Sequence, residues 1–280
     1  MKLNDFTALA RIPIDPSYPT NRAIAVLTTV VAIAGAILHL LRGTTPLESV
    51  LWGIAAGLAV FLTWALGREL DPDHDLSAFV GAGLVFIALL LVDAPSLLLI
   101  LWLLSVLRTV NRTVGLPAKP LDSLWVLGLS AWLTWQGYWM VGLVTAVAFL
   151  LDGLLPPPLR RQLLASGLAF LATVILSIFH GERAMETEPT LLVVVLSIAV
   201  VGLFLPVIAT TREVEAVGDA TRAPLIPRRV RTAQVLALLI ALLFAWWDGA
   251  SGVVALLPLW AAMIGVGVYR LATLFLQRRR

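Results

Sequence analysis

The sequence predicts an all-α, polytopic membrane protein: a transmembrane helical bundle of about ten spans, with the N-terminus and C-terminus cytoplasmic. Three observations predict it. The 280-residue chain is 60% hydrophobic and only 13% charged, whereas a soluble domain carries about 25% charged residues. Apolar runs of roughly 20 residues, the length that crosses a ~30 Å hydrocarbon layer, recur from end to end. The basic residues gather in alternate connections between those runs. A membrane β-barrel would alternate apolar and polar residues; the run 191–201 does not.

Reading runs and breaks in order gives spans at 23–41, 46–66, 76–92, 96–113, 121–136, 137–152, 162–180, 189–209, 231–247 and 252–276. Thr45-Pro46-Leu47-Glu48 has the pattern of a capping box with proline at the first helical position. Asp75 and Asp122 stand where an N-cap would accept an orphan backbone N–H. Pro206 and Pro258 fall within spans and predict kinks. Gly53 and Gly57 are four apart and predict close helix packing. The stretch from Asp122 to Asp152 has Gln136 as its one strongly polar residue. A single straight helix there would be roughly 44 Å long, too long for the hydrocarbon core. A break at Gln136-Gly137 is therefore expected, giving two short spans or a re-entrant pair.

Charge placement supports this count. With ten spans and a cytoplasmic N-terminus, every lysine and arginine except Arg42 and Arg183 lies inside, as the positive-inside rule expects. Trp132, Trp135 and Trp139 then mark the outer turn, and Trp246 and Trp247 close the ninth span there, as an aromatic belt would. Residues 1–22 form a cytoplasmic N-terminal segment, 23–276 one multi-span membrane domain, and 277–280 a basic tail. The first apolar run starts at Ala23 and is longer than a signal-peptide core, so it is expected to be retained. The expected location is a bacterial plasma membrane.

The chain has no cysteine, which excludes disulfides, thiolate metal sites and cysteine nucleophiles. No long basic tract interleaved with aromatics supports nucleic-acid binding. Near the middle of the spans the polar residues are Ser105, Ser130, Thr145, Thr173 and Ser197 rather than ionisable groups. Proton-driven pumps carry ionisable residues there, so that class is disfavoured, while a facilitator or an exporter of apolar compounds stays open.

Three polar segments can carry chemistry. In GRELDPDHDLSAF (67–79), Asp71, Asp73 and Asp75 supply oxygen ligands suited to Mg²⁺, with His74 among them as a base or a further ligand. The same residues also suit a capped turn whose acids pair with nearby arginines. In RTVNRTVGLPAKPLDS (108–123), Arg108 and Arg112 are four apart on one helix face. Together with Lys119 they can hold a phosphate, or simply snorkel to the interface. In TREVEAVGDATRAPLIPRRVR (211–231), Glu213, Glu215 and Asp219 are mixed with five arginines. That loop suits a second metal position or a solvated connector shaped by Gly218, Pro224 and Pro227. His39 and His180 stand at outer span ends as interface residues.

These features favour a membrane-embedded enzyme acting on a phosphorylated lipid or isoprenoid at the cytoplasmic face, its acidic loop and basic helix end holding a metal-bridged phosphate. A ten-span transporter of a small or apolar solute and a non-catalytic membrane assembly component are the alternatives. The lipid bilayer is the expected partner in all three.

Overall fold

In a computed structural model, which describes residues 7–9, 18–92, 94–180 and 189–278, the chain is helical throughout. Among the described residues there are eleven α-helices and no strand. They are α1 (Pro19–Leu41), α2 (Pro46–Leu70), α3 (Asp75–Leu89), α4 (Leu97–Asn111), α5 (Pro120–Trp135) and α6 (Trp139–Leu154). There follow α7 (Arg161–His180), α8 (Leu191–Thr210), α9 (Pro227–Trp247), α10 (Gly249–Ala255) and α11 (Leu257–Arg278). Arg183 and most of the loop 180–189 lie outside the described residues.

Six helices are long and apolar enough to cross a membrane: α1, α2, α7, α8, α9 and α11. Three others, α3, α4 and α6, are apolar but shorter; 15 or 16 residues rise about 22–24 Å. The long helices carry wide apolar surface, with Leu41 and Leu191 each 80% exposed and Phe179 76% exposed. So much apolar area facing outward would be unfavourable in water. It makes this a multi-pass helical membrane protein in contact with a lipid bilayer.

Local chemistry accounts for the helix boundaries. At α2 the expected capping box forms: Thr45 Oγ1 accepts the Glu48 N–H, and the Glu48 carboxylate accepts the Thr45 N–H at 3.1 Å. Two expected caps are displaced. His74, not Asp75, is the N-cap of α3, and Asp75 is the first helical residue. Lys119 is the N-cap of α5, and Asp122 is the third helical residue behind Pro120, where its carboxylate accepts the Lys119 N–H at 2.7 Å. Both carboxylates still face the positive end of the helix dipole.

The break at Gln136-Gly137 is real. Gly137 has φ +94°, a left-handed conformation open to glycine at little cost. Its N–H reaches the Thr134 carbonyl and the Tyr138 N–H reaches Leu133, at 2.9 and 3.0 Å. That pair of bonds is a Schellman stop. Pro206 lies inside α8, as expected. Pro258 does not kink a long span: the helix ends at Ala255, and Pro258 stands in the first turn of α11, where its missing N–H costs nothing.

The contacts divide the chain into two units. One comprises residues 13–101, 188–210 and 241–280, and is built on α1, α2, α3, α8, α10 and α11. Its helices approach through small residues. A Cβ on Gly57 would lie 2.8 Å from the Thr28 carbonyl oxygen, and one on Gly53 the same distance from Ala36 Cβ. In the same way, Gly81 of α3 meets the α11 backbone at Ala262, 3.0 Å from a built Cβ. Close backbone approach of this kind drives helix association where lipid removes the hydrophobic effect.

The other unit comprises residues 1–12, 102–187 and 211–240. In it α5, α6 and α7 pack together. The buried Trp102 of α4 donates its indole N–H to Thr145 on α6 at 2.8 Å. Ser166 of α7 donates to the Ala146 carbonyl at 2.7 Å.

Gly57→Val should lower thermal stability in detergent by roughly 1–3 kcal/mol through overpacking. Gly83→Ala, where an added Cβ meets nothing within 4 Å, should be neutral or gain roughly 0.5–1 kcal/mol. Equal melting temperatures for the two variants would contradict the α1–α2 packing described.

Candidate functional site

The acidic segment joins α2 to α3. Asp71 ends α2, with its N–H on the Gly67 carbonyl at 2.9 Å, and is only 5% exposed. Its Oδ1 lies 3.0 Å from His74 Nδ1. Its Oδ2 is buried and meets no hydrogen-bond partner among the described residues. From α11, one guanidinium nitrogen of Arg270 stands 3.3 Å from both ring nitrogens of His74. The other lies 3.3 Å from Thr210 Oγ1 on α8. The Tyr269 ring centroid is 5.8 Å from that of His74. Asp75 forms an ion pair with Arg68 on the last turn of α2, and Arg68 also stands over the Trp64 ring at 6.0 Å. Asp73 is exposed at the turn.

The three aspartates differ in environment: Asp71 faces His74, Asp75 pairs with Arg68, and Asp73 is exposed. Among the described residues no group of three or more His, Asp or Glu side chains is gathered to hold a metal ion. The segment does bring Asp71, His74, Thr210 and Arg270 together from α2, α3, α8 and α11. Thr210 and Arg270 are the members that sequence reading missed; 196 positions separate Arg270 from His74.

The basic segment belongs to the other unit and finds its counter-ions there. α4 stops at Asn111, so Arg108 and Arg112 do not share a helix face. Arg112 has φ +55°, which costs a non-glycine residue about 1–2 kcal/mol. Arg108 donates to the Leu9 carbonyl at 2.9 Å. The Thr7–Leu9 segment is held by Asp122 as well, through the Thr7 hydroxyl and the Ala8 N–H, the latter at 2.8 Å. Lys119 is at the start of α5, its own N–H on Asp122.

Arg112 turns instead to Asp152, near the end of α6. Its Nε and Nη2 lie 2.8 and 2.7 Å from Asp152 Oδ1, and Nη1 donates to the Pro157 carbonyl at 2.9 Å. Arg229 of α9 approaches the same oxygen at 2.8 Å. Arg229 is 1% exposed and Asp152 0%. All five N–H groups of Arg229 have acceptors: Asp152 Oδ1 and the carbonyls of Val110, Leu155, Pro156 and Pro157, at 2.7–3.0 Å. The run Pro156-Pro157-Pro158 has no N–H of its own, so it presents carbonyls without competing donors. A guanidinium with every donor satisfied is a structural clamp, with no donor left for a ligand.

The loop before α9 is shaped, as Gly218 and Pro224 predict. The Gly218 N–H reaches the Ala223 carbonyl at 2.8 Å, and Leu225 N–H reaches Ala216 at 3.0 Å. Ala220 N–H reaches the Val114 carbonyl at 3.0 Å, which ties this loop to the connection between α4 and α5. Glu213, Glu215 and Asp219 lie on its exposed side. Of the deep hydroxyls, Thr145, Thr173 and Ser197 each donate to the carbonyl four residues earlier in their own helix, at 2.7–2.8 Å. No family model, no curated protein and no solved structure matches the chain.

Asp152→Ala would strand two guanidiniums and should destabilise the protein by roughly 3–5 kcal/mol. Adding Arg112→Gln to it should cost less than the sum of the single changes, because the residues share one network. The check is thermal unfolding of the four proteins of that cycle in detergent. Strict additivity, or an Asp152→Ala loss within about 0.5 kcal/mol as for a surface site, would contradict the clamp.

Proposed function

We propose that the protein crosses a bacterial plasma membrane ten times, with both termini cytoplasmic. We further propose that it is an enzyme acting on a phosphorylated lipid or isoprenoid at the α2–α3 end. The observation that carries this reading is the second carboxylate oxygen of Asp71, buried with no hydrogen-bond partner among the described residues, beside His74 and Arg270. A buried carboxylate oxygen left bare costs free energy, and a metal or ligand donor would offset that cost. Mg²⁺ needs only one or two carboxylates when phosphate oxygens and water complete its shell. Asp71, with Asp73 beside it, can meet that demand without a three-residue cluster, and Asp75 keeps the loop in place through Arg68.

The phosphate role expected of Arg108, Arg112 and Lys119 is proposed instead for Arg270. Arg112 is already committed to Asp152, and Arg108 to the Leu9 carbonyl, whereas among the described residues the Arg270 guanidinium makes contacts of 3.3 Å. The bilayer would present the substrate laterally, its tail in lipid and its phosphate at the helix ends. The transporter reading draws less support, since Thr145, Thr173 and Ser197 bond to their own helices.

The test is thermal stability in detergent with Mg²⁺, inorganic pyrophosphate, or both. Wild type should be stabilised only by the pair, by about 2.7 kcal/mol at a hundred times the dissociation constant. Asp71→Asn should abolish the effect and Arg270→Gln should weaken it. No stabilisation of the wild type, or an undiminished effect in Asp71→Asn, would overturn the proposal.

A further inference from the structure

A second feature lies at the opposite end of α2, whose 25 residues span about 37 Å. Here α1, α2 and α3 leave an apolar groove between them. Gly35 and Leu38 line it from α1, Trp52 and Ala56 from α2, and Phe86 and Leu90 from α3 and its C-cap. Gly35 is buried and lets the Trp52 ring pack close to α1, since a Cβ there would lie 2.9 Å from that ring. At one end stands Arg42, exposed and reaching the Leu90 carbonyl only at 3.5 Å. Beside it His39 stacks on Trp52, ring centroids 4.6 Å apart and planes 14° apart. The hydroxyl of Thr44 lies 3.3 Å from the His39 ring. The nearby carboxylate, Glu48, is turned into its capping box with Thr45.

We propose that this groove is a binding site for one anionic phospholipid, an acyl chain lying against Leu38, Trp52 and Phe86 and the headgroup phosphate on Arg42, with His39 and Thr44 beside it. Three features fit that occupant. The groove is apolar along its length and lies between α1 and α2, both long and apolar enough to cross a membrane, so its natural occupant is a hydrocarbon chain. The charged end carries a guanidinium, which pairs with phosphate by two parallel hydrogen bonds. Arg42's sole contact among those described is a long one to a groove residue, so a phosphate can recruit it without breaking an ion pair. The inference is independent of the reading at Asp71, since the two sites lie at opposite ends of α2.

The test is native mass spectrometry and thermal unfolding of protein drawn from bilayer discs of phosphatidylcholine with a minor fraction of phosphatidylglycerol. Wild type should retain one phosphatidylglycerol in preference to phosphatidylcholine. Arg42→Gln should lower that preference roughly five-fold, the contribution of one arginine near an anionic lipid surface, while keeping the fold and a retained lipid. Arg22→Gln, an exposed arginine near the other end of α1, should leave the preference unchanged. Leu38→Trp, which fills the groove from its rim, should lose the retained lipid while melting like wild type. A preference unaffected by Arg42→Gln, one that falls equally with Arg22→Gln, or lipid retention unchanged by Leu38→Trp would overturn the proposal.

Discussion

A charge at the end of an apolar helix must be neutralised where it stands, and the polar structure of this protein follows from that constraint. Desolvating an ion costs several kcal/mol even after relaxation, and the surrounding chain has little water to offer. Asp152 is completely buried, and two arginines from α9 and the end of α4 close on one of its oxygens. The carbonyls of Val110, Leu155, Pro156 and Pro157 then absorb the remaining donors of Arg229. One carboxylate thereby fixes three helix ends and the proline run that follows α6. An ion pair recurs at Arg68 with Asp75, and Asp122 is met by neutral donors, the Thr7 hydroxyl and the Ala8 and Lys119 N–H groups.

Between the charged ends, small residues set the packing. Glycines on α2, α3 and α11 let backbones touch where larger side chains would hold them apart, and the outward faces of α1, α7 and α8 are left to lipid. This separates two kinds of glycine in the chain. Gly57 and Gly81 meet backbone on a neighbouring helix; Gly83, Gly128 and Gly167 meet nothing within 4 Å. Substitution should be costly only in the first kind.

Helix positions were legible where an apolar run stops at residues with local chemistry. Thr45-Pro46-Leu47-Glu48 starts α2 as its pattern demands, and Gln136-Gly137 ends α5 because glycine alone takes the left-handed turn cheaply. The errors are equally local. His74 and Lys119 cap their helices one and three residues ahead of the aspartates expected to do so. Arg112 fell off the helix face assigned to it when α4 ended one residue earlier. What stayed illegible was pairing across distance. Asp152 meets Arg229 over 77 positions and Arg270 meets His74 over 196, and no periodicity records such contacts. A faint signal did exist for Asp152: it is the one acid between Asp122 and Glu182, it ends an apolar run, and three prolines follow closely. A carboxylate so isolated needs a cation.

The proposed count of ten spans rests on α5 and α6 each crossing the membrane. The native chain has no cysteine, so single cysteines can be read without background. Gln136→Cys decides the matter, with Asp73→Cys and Asp219→Cys as references; all three positions are exposed. Labelling of intact cells with a membrane-impermeant maleimide should modify position 136 and spare positions 73 and 219. Protection of position 136 together with the two references, and labelling of all three only after the cells are opened, would mean that α5 and α6 do not cross, and would contradict the ten-span account.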